Sequence, residues 1–277
     1  MNRKYIFTFW EPTNNIPDYV QLCIDTWKYN LPGYEIVILD YSNLSNWLSK
    51  KQIKRILCKD MTLPIQADAI RVALLRKYGG IWLDADTIIL HNKFLKRISG
   101  YDLAMIGDTQ KQTQHIAFIY AKTCSDIIEK WYKKICKRVF LFRLFNKCKM
   151  LRKIFRHTNA ILHNWDVLGN GILDDLVNKS TDASAFLRLD KMKLGSLPEY
   201  TIATPDKAPN ILYNEFWFGH NNKTFDDVKN ICFGGIILLH NSWTPDKYKQ
   251  MTKNEFLDSN ILLARVLKNL YKVNPDD

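Results

Sequence analysis

The chain has 277 residues with a formal net charge of +12, and its length allows one large or two small globular domains. Hydrophobic residues make up 47% of it, enough to bury a substantial core. There is no run of about eighteen apolar residues, and the apolar stretch near the N-terminus is too short for a signal peptide, so we expect a cytosolic chain without a membrane span. The six cysteines show no C-x-x-C spacing, which argues against a zinc site and a disulfide framework.

The first part of the chain alternates strand and helix patterns. Residues 4–10 alternate aromatic and aliphatic side chains and predict a first strand, which the turn residues after Trp10 end. A helix is predicted over 17–29 and a second strand over 34–39, ending at Asp40. This β-α-β order favours a parallel sheet with a right-handed crossover. The sequence therefore predicts an α/β fold.

The chain is organised around residues 66–86, which read QADAIRVALLRKYGGIWLDAD. The apolar side chains predict a helix buried against a sheet, and Gly79 and Gly80 predict its end. The short apolar run that follows predicts a buried strand, with Asp84 and Asp86 at its carboxyl end. Open α/β sheets bind ligands at that end.

Asp84 and Asp86 are separated by one residue. In an extended segment both carboxylates point to one side, while Ala85 points away. Two ionised carboxylates this close repel each other, and Mg²⁺ or Mn²⁺ carrying a diphosphate would satisfy both. A polar strand end that faces water is the alternative interpretation. Upstream, Asp68 and Arg71 lie on one face of the predicted helix, where they form a surface salt bridge or reach into the same cleft.

Most of the positive charge lies in one segment, 129–157, which carries eleven cations against one acid. These cations are Lys130, Lys133, Lys134, Lys137, Arg138, Arg143, Lys147, Lys149, Arg152, Lys153 and Arg156. Aromatic and aliphatic residues are interleaved with them, a composition that suits the headgroup region of an anionic bilayer. We therefore predict a basic amphipathic helical insertion over 125–160 that docks on a membrane. The alternatives are a scaffold helix whose cations face solvent, and a nucleic-acid surface, which no accompanying motif supports.

Three further positions are candidate binding residues. Gly169 and Gly171 bracket Asn170 ahead of a helix-like stretch, so backbone can approach a ligand there, although a plain turn explains the pattern as well. Trp217, in an aromatic cluster, is either a contact for a sugar acceptor or a core residue. His240 directly follows the last predicted strand and is either a site residue or an ordinary surface residue.

Asp68-x-x-Arg71, followed by YGGIWLDAD, resembles the signature of the DXD sugar-binding glycosyltransferases of the family 32 type. That family includes bacterial capsular and exopolysaccharide transferases, and its signature is similar to the glucosyltransferase domain of clostridial toxins. The segment HNSW at 240–243 resembles the family's C-terminal HxxxSW element in a shortened form, and Asn170 stands where the family's loop has Pro. The resemblance implies one GT-A domain over 1–277, with a Rossmann-like mixed sheet flanked by helices.

The resemblance also implies roles for individual residues. Asp86 would bind Mn²⁺ or Mg²⁺, with His240 or Asn241 completing the metal site, and Asp84 would bind the ribose or the sugar. The implied catalytic residues are Asp68, Arg71, Asp84 and Asp86. The residues implied to bind the nucleotide-sugar are Phe9, Trp10, Asp40, Asp68, Arg71, Trp82, Asp84, Ala85, Gly169, Asn170, Ser242 and Trp243. For Trp10, a core aromatic at a strand end remains the alternative.

What the resemblance implies is a retaining glycosyltransferase that moves a hexose or N-acetylhexosamine from a UDP-sugar to a lipid-linked saccharide. The setting would be capsule, exopolysaccharide or lipopolysaccharide synthesis. We expect the protein on the inner face of the plasma membrane, bound to anionic lipid and not to nucleic acid. Two other classes stay open: a nucleotide-sugar-binding module without turnover, and a basic membrane- or nucleic-acid-binding protein in which the acidic pair is incidental.

Overall fold

The computed structural model describes residues 3–108, 113–147, 166–179, 186–190 and 208–273. Its strands, in chain order, are β1 (Lys4–Phe9), β2 (Tyr34–Leu39), β3 (Gly80–Leu83), β4 (Thr87–Ile89), β5 (Leu103–Asp108), β6 (Thr113–Ala121), β7 (Phe186–Asp190) and β8 (Ile236–Leu238). Its α-helices are α1 (Asp18–Asn30), α2 (Leu44–Trp47), α3 (Lys50–Ile56), α4 (Leu63–Tyr78), α5 (Phe94–Ile98), α6 (Asp126–Lys147), α7 (Asn170–Asn178), α8 (Pro209–Trp217), α9 (Phe225–Ile231), α10 (Asp246–Lys249), α11 (Lys253–Asp258) and α12 (Leu262–Val273). The predicted α/β class is confirmed.

The chain divides into two compact units, each made of three chain segments. Unit 1 comprises Met1–Glu11, Val37–Leu83 and Ile98–Arg188. Unit 2 comprises Pro12–Ile36, Asp84–Arg97 and Leu189–Asp277. The single domain over 1–277 stays a prediction.

Unit 1 is organised on a six-stranded sheet in the order β2-β1-β3-β6-β5-β7. β1 and β3 run parallel, with Ile6 opposite Ile81. β6 is antiparallel to both of its neighbours, β3 and β5. The sheet is therefore mixed, and β3, the strand that precedes the acidic pair, lies inside it and not at an edge.

Two glycines connect α4 to β3, as predicted. Gly79 has a φ of +65° and a ψ of −163°, a backbone conformation essentially restricted to glycine, and its N–H donates to the carbonyl of Leu75. Gly80 has a φ of +101°, and a Cβ there would lie 2.5 Å from the carbonyl oxygen of Tyr5 on β1. The pair therefore lets β3 start directly beside β1.

α6 covers part of the predicted basic helical insertion over 125–160, and that insertion stays a prediction. α6 packs against α4 and α7, and its Trp131, Ile135, Val139 and Phe142 belong to the core of unit 1. The prediction that these side chains enter a bilayer is wrong, because they are buried. The rest of the predicted segment, 148–160, lies outside the described residues. Within the part of the chain that the structure describes, no helix has both the length and the apolarity that crossing a bilayer requires.

Unit 2 contains the antiparallel pair β4 and β8, in which Thr87 lies opposite Leu238. α1 packs against this pair. The indole N–H of Trp27 donates to the carbonyl of Thr87 at 2.7 Å, and the side-chain amide of Asn30 donates to that of Ile89 at 2.8 Å. These hydrogen bonds attach α1 to β4 and satisfy two carbonyl groups of that strand.

The last part of the chain forms two helices, α11 and α12. Ser259 has extended backbone, and its hydroxyl donates to the carbonyl of Phe256 at 2.5 Å, which ends α11. The chain resumes a helix at Leu262. The apolar pattern continues across the break, and so the break does not show in the periodicity.

Candidate functional site

The acidic pair lies in a tight turn and not in an extended strand. β3 ends at Leu83, and the N–H of Thr87 donates to the carbonyl of Asp84 at 3.0 Å, which closes a four-residue turn. The prediction that Asp84 and Asp86 align through strand alternation is therefore wrong. Both acids are half-buried, and Ala85 between them is 5% exposed.

Strand pairing brings this turn to the segment that follows β8. Because Thr87 lies opposite Leu238, the residue before β4 and the residues after β8 meet at one end of the pair. There the Oδ2 atom of Asp86 accepts a hydrogen bond from the backbone N–H of Asn241 at 2.7 Å. The structure thus brings together two of the residues that the sequence predicts for a metal site, Asp86 and Asn241.

Asp86 is held in a setting that disfavours its own negative charge. Burial, and then the neighbouring charge of Asp84, raises the pKa of the Asp86 carboxyl to about 7, while the N–H of Asn241 acts in the opposite direction. A bound cation relieves both causes, because it compensates the charge of each carboxylate. The electrostatics of the turn therefore match the chemistry predicted for it.

A buried tyrosine, Tyr19, forms a hydrogen bond with the side chain of Asn241. The hydroxyl of Tyr19 on α1 donates to the side-chain oxygen of Asn241. Burial, and then the charge of Asp86, raises the pKa of Tyr19 well above its usual value, so the phenol stays protonated and donating. Tyr19 was not predicted as a site residue, because 222 positions separate it from Asn241 and no local pattern links them.

His240 is oriented by aromatic rings. Its imidazole packs on the indole of Trp243 with centroids 4.1 Å apart, and the ring of Tyr213 meets both nearly edge-on. The hydroxyl of Tyr213 also accepts from the backbone N–H of His240 at 3.1 Å. Ser242, next to these rings in the chain, is exposed. Tyr213 is a second residue that the sequence analysis missed.

The donor set fits a hard divalent ion that is completed by its ligand. Carboxylate oxygens, an amide oxygen and an imidazole nitrogen all bind Mn²⁺, and Mg²⁺ takes the oxygens. Among the residues that the structure describes, no three His, Cys, Asp or Glu side chains converge on one point. An ion here would therefore rely on one or two carboxylates together with phosphate oxygens of a nucleotide, a common arrangement for Mg²⁺.

Asp68 and Arg71, in unit 1, form a buried ion pair. The guanidinium lies 3.1 Å from the Asp68 carboxylate, donates to the carbonyl of Ile116 at 2.5 Å and covers the ring of Trp82 at 4.9 Å. The interpretation of this pair as a surface salt bridge is wrong, because the two side chains are only 5% and 6% exposed. Arg71 thus contacts two other predicted site residues, Asp68 and Trp82.

Gly169 reaches the same group. A Cβ at this position would lie 2.7 Å from Oδ2 of Asp68 and 2.8 Å from Cδ1 of Ile116, so only a glycine allows the backbone to come this close. The next residue, Asn170, starts α7, and its side-chain oxygen is buried without a hydrogen-bond partner among the described residues. The predicted loop is therefore placed against the predicted ion pair.

Phe9, Trp10 and Asp40, which the resemblance implies bind the nucleotide-sugar, lie where β1 and β2 end. The N–H of Trp10 donates to the carbonyl of Leu39 at 2.9 Å, and Phe9 meets the ring of Tyr41 edge-on at 5.4 Å. Asp40 is buried and accepts from the backbone N–H of Ser42 at 2.9 Å, so it closes a turn. Tyr41, which is 44% exposed, adds an aromatic side chain here, and its hydroxyl donates to the side-chain oxygen of Gln66 at 2.7 Å.

Trp217 does not line an acceptor groove. The side chain is fully buried and packs edge-on against Phe216 with centroids 4.8 Å apart. A sugar ring needs an accessible aromatic face. The acceptor prediction for Trp217 is therefore wrong, and the alternative of a core residue is correct.

A family model described as "Capsular polysaccharide synthesis protein" matches residues 1–158. No curated protein matches the chain. Among solved structures, the chain is similar to "PaToxG Glycosyltransferase", with 13% identity and a TM-score of 0.40 over 98% of this chain and 87% of that one. It is also similar to the apo-form glycosyltransferase GlyE in Streptococcus pneumoniae TIGR4, with 12% identity and a TM-score of 0.43 over 99% of this chain and 64% of that one.

Proposed function

The chain belongs to the capsular polysaccharide synthesis protein family, and from that premise we propose that it is a metal-dependent glycosyltransferase with a GT-A fold. It transfers a hexose or N-acetylhexosamine from a UDP-sugar to a lipid-linked saccharide, with retention of configuration. One observation carries the proposal: the Asp86 carboxylate is held by the N–H of Asn241 at 2.7 Å, in a turn where Asp84 adds a second carboxylate.

The residues of unit 2 have distinct tasks in this proposal. Asp86 holds the ion together with His240 or the side chain of Asn241, and Asp84 binds the ribose or the sugar. Tyr19 keeps the Asn241 amide in place through its hydrogen bond. When bound, Mn²⁺ or Mg²⁺ supplies Lewis-acid stabilisation of the departing nucleoside diphosphate. The exposed Ser242 and the neighbouring Trp243 are assigned to the diphosphate.

Asp68 and Arg71 act in the proposal by positioning. The two side chains form an ion pair with each other and are nearly inaccessible to solvent. Direct contact of either charged group with sugar hydroxyls is therefore not supported. Instead the ion pair fixes the place of Gly169, whose backbone lies against Asp68. Asn170, the next residue of this loop, stays in the proposal as a residue that binds the nucleotide-sugar, and its side-chain oxygen is buried without a hydrogen-bond partner among the described residues.

Hydrolysis of UDP-sugars, with Mn²⁺ added or removed by chelator, tests this function. Asp86→Asn keeps the volume and removes the charge, and Asp246→Asn, at an exposed acid of the same unit, is the matched control. Loss of the ion costs several kcal/mol of transition-state stabilisation, so turnover of Asp86→Asn should fall by about 100-fold or more. UDP binding without any turnover in the wild type would establish the non-catalytic module instead.

A stripe on α6 supports membrane attachment as part of this function. Lys133, Lys137, Phe140, Leu144 and Lys147 recur at spacings of three and four, which places them on one side of the helix. Phe140 is 62% and Leu144 43% exposed, unlike the apolar side chains on the buried side. Two exposed apolar side chains flanked by lysines suit an anionic lipid surface, and the inner face of the plasma membrane provides one.

Two other cations of α6, Lys134 and Arg138, make contacts within the fold, which refines the test. Lys134 pairs with Asp175 at 2.6 Å, and Arg138 donates to the carbonyl of Val167. We therefore propose Phe140→Ser with Leu144→Ser as the variant, and Phe233→Ser, at a side chain 57% exposed, as the control.

Sedimentation with phosphatidylglycerol vesicles is the readout. The double variant should bind about tenfold more weakly, because it removes roughly 1 kcal/mol or more of interfacial burial. The control should bind like the wild type. Equal binding of the double variant, or release of the wild type from the vesicles by an oligonucleotide, contradicts a membrane role for this stripe.

A further inference from the structure

Unit 2 contains a cavity of about 530 Å³ that none of the predicted site residues lines. Residues 221–225, which lead into α9, form one wall, and residues 260–269, at the start of α12, form the other. From its lining we propose that this cavity binds an acidic sugar residue of a polysaccharide. The inference rests on the proposed function, because a polysaccharide glycosyltransferase would meet such a saccharide. The acidic character of the ligand is inferred from the cavity lining alone.

The lining carries positive charge and amides without a carboxylate. Lys223, Arg265 and Lys268 supply the cations, and the remaining polar side chains are four asparagines and one threonine. Primary amides both donate and accept, and so they match the paired hydroxyls of a sugar ring. The half-buried Phe225 adds an aromatic side chain to the lining, on which the apolar face of a sugar can pack.

Arg265 joins the two walls. Its guanidinium donates to the side-chain oxygen of Asn260 at 3.0 Å, to the carbonyl of Asn221 at 2.8 Å and to that of Lys223 at 3.1 Å. Its Nε is buried without a hydrogen-bond partner among the described residues, and no carboxylate there forms an ion pair with it. These hydrogen bonds hold the two walls of the cavity together. Among the described residues, the partners of the Arg265 guanidinium are neutral oxygens and not carboxylates.

The side chains of Lys268 and Lys223 are the two cations of the lining that can reorient toward a ligand. Lys268 pairs with Asp258 at 2.9 Å, but the two side chains are 44% and 74% exposed, so the pair is weak and the ammonium can turn to a ligand. Lys223 lies over the ring of Phe216 at 5.8 Å, and its charge acts on the exposed carboxylate of Asp227 without a close ion pair among the described residues. A carboxylated or otherwise anionic sugar meets both charges, whereas a neutral sugar meets only the amides.

Calorimetric titration of the full chain tests the proposal with three probes. These are hyaluronan tetrasaccharide, which carries carboxylates, the neutral chitotetraose, and inorganic sulfate. The variant is Lys223→Gln with Lys268→Gln, which leaves Arg265 and its loop contacts intact. The control is Lys247→Gln with Lys249→Gln, which removes the same charge from α10, outside the cavity.

The acidic tetrasaccharide should bind the wild type and the control alike and the variant about tenfold more weakly, from two lost charge-assisted contacts. Chitotetraose should bind the wild type at least about tenfold more weakly than the acidic probe. Equal affinities for the two saccharides, equal affinities of variant and control, or displacement of the tetrasaccharide by an equal concentration of sulfate would each overturn the proposal. UDP-sugar hydrolysis should be the same in variant and control, so a failure of this site is separable from a failure of the proposed function.

Discussion

Gly169→Ala tests the arrangement around the buried ion pair of unit 1. The added Cβ would stand 2.7 Å from Oδ2 of Asp68 and 2.8 Å from Cδ1 of Ile116, about 0.7 and 0.6 Å inside the 3.4 Å at which ordinary contact begins. Asp68 cannot move away freely, because its carboxylate is paired with Arg71 at 3.1 Å in a buried position. Overpacking of this kind costs about 2 kcal/mol.

Thermal and denaturant unfolding measure that cost, with Gly100→Ala as the matched control. Gly100 is an exposed glycine of the same unit, and a Cβ there meets nothing within 4 Å. We expect a melting temperature lowered by roughly 4 °C for Gly169→Ala and unchanged within about 1 °C for the control. UDP-sugar hydrolysis should fall with it, as the loop is displaced. Identical unfolding of the two variants would refute the close approach.

Three other substitutions give independent checks. Tyr19→Phe removes the hydroxyl that holds Asn241, and it should weaken Mn²⁺ binding about tenfold, as read by electron paramagnetic resonance; unchanged affinity contradicts the supporting role. Arg71→Lys leaves Asp68 incompletely paired in a buried site and should cost about 3 kcal/mol in urea unfolding, whereas a cost under about 1 kcal/mol contradicts the buried pair. Trp217→Phe should leave the KM for the acceptor unchanged, since the side chain is fully buried, and a raised KM returns it to the acceptor site.

Much of the local structure follows from the sequence because its causes are local. The helix end at Gly79, the buried strand after Gly80 and the strand over Tyr34–Leu39 all follow from side-chain periodicity and glycine placement. The capsule role, expected from a motif of about twenty residues, is confirmed by the family to which the chain belongs. The assignment to family 32 stays a prediction.

The failures have long-range causes. The composition of α6 is typical of a surface helix. Most of its described apolar side chains nevertheless belong to the core, because α4 and α7 pack against them. The sequence of a helix does not specify which elements pack against it. The acidic pair looks extended because the strand before it is apolar, yet a turn over Asp84–Thr87 leads into β4, whose partner β8 is distant in sequence. The contact of Tyr19 with Asn241 depends on the pairing of β4 with β8, whose partners are distant in sequence.

The central claim is that a divalent ion binds at Asp86 and holds the diphosphate of an activated sugar. Anomalous scattering from crystals grown with Mn²⁺ and UDP locates the ion directly. We expect one manganese peak bonded to the carboxylate of Asp86 and to phosphate oxygens, with His240 or Asn241 as a further ligand, and no peak in Asp86→Asn crystals. UDP bound with no manganese at Asp86, or manganese bound elsewhere in the chain, would contradict the claim.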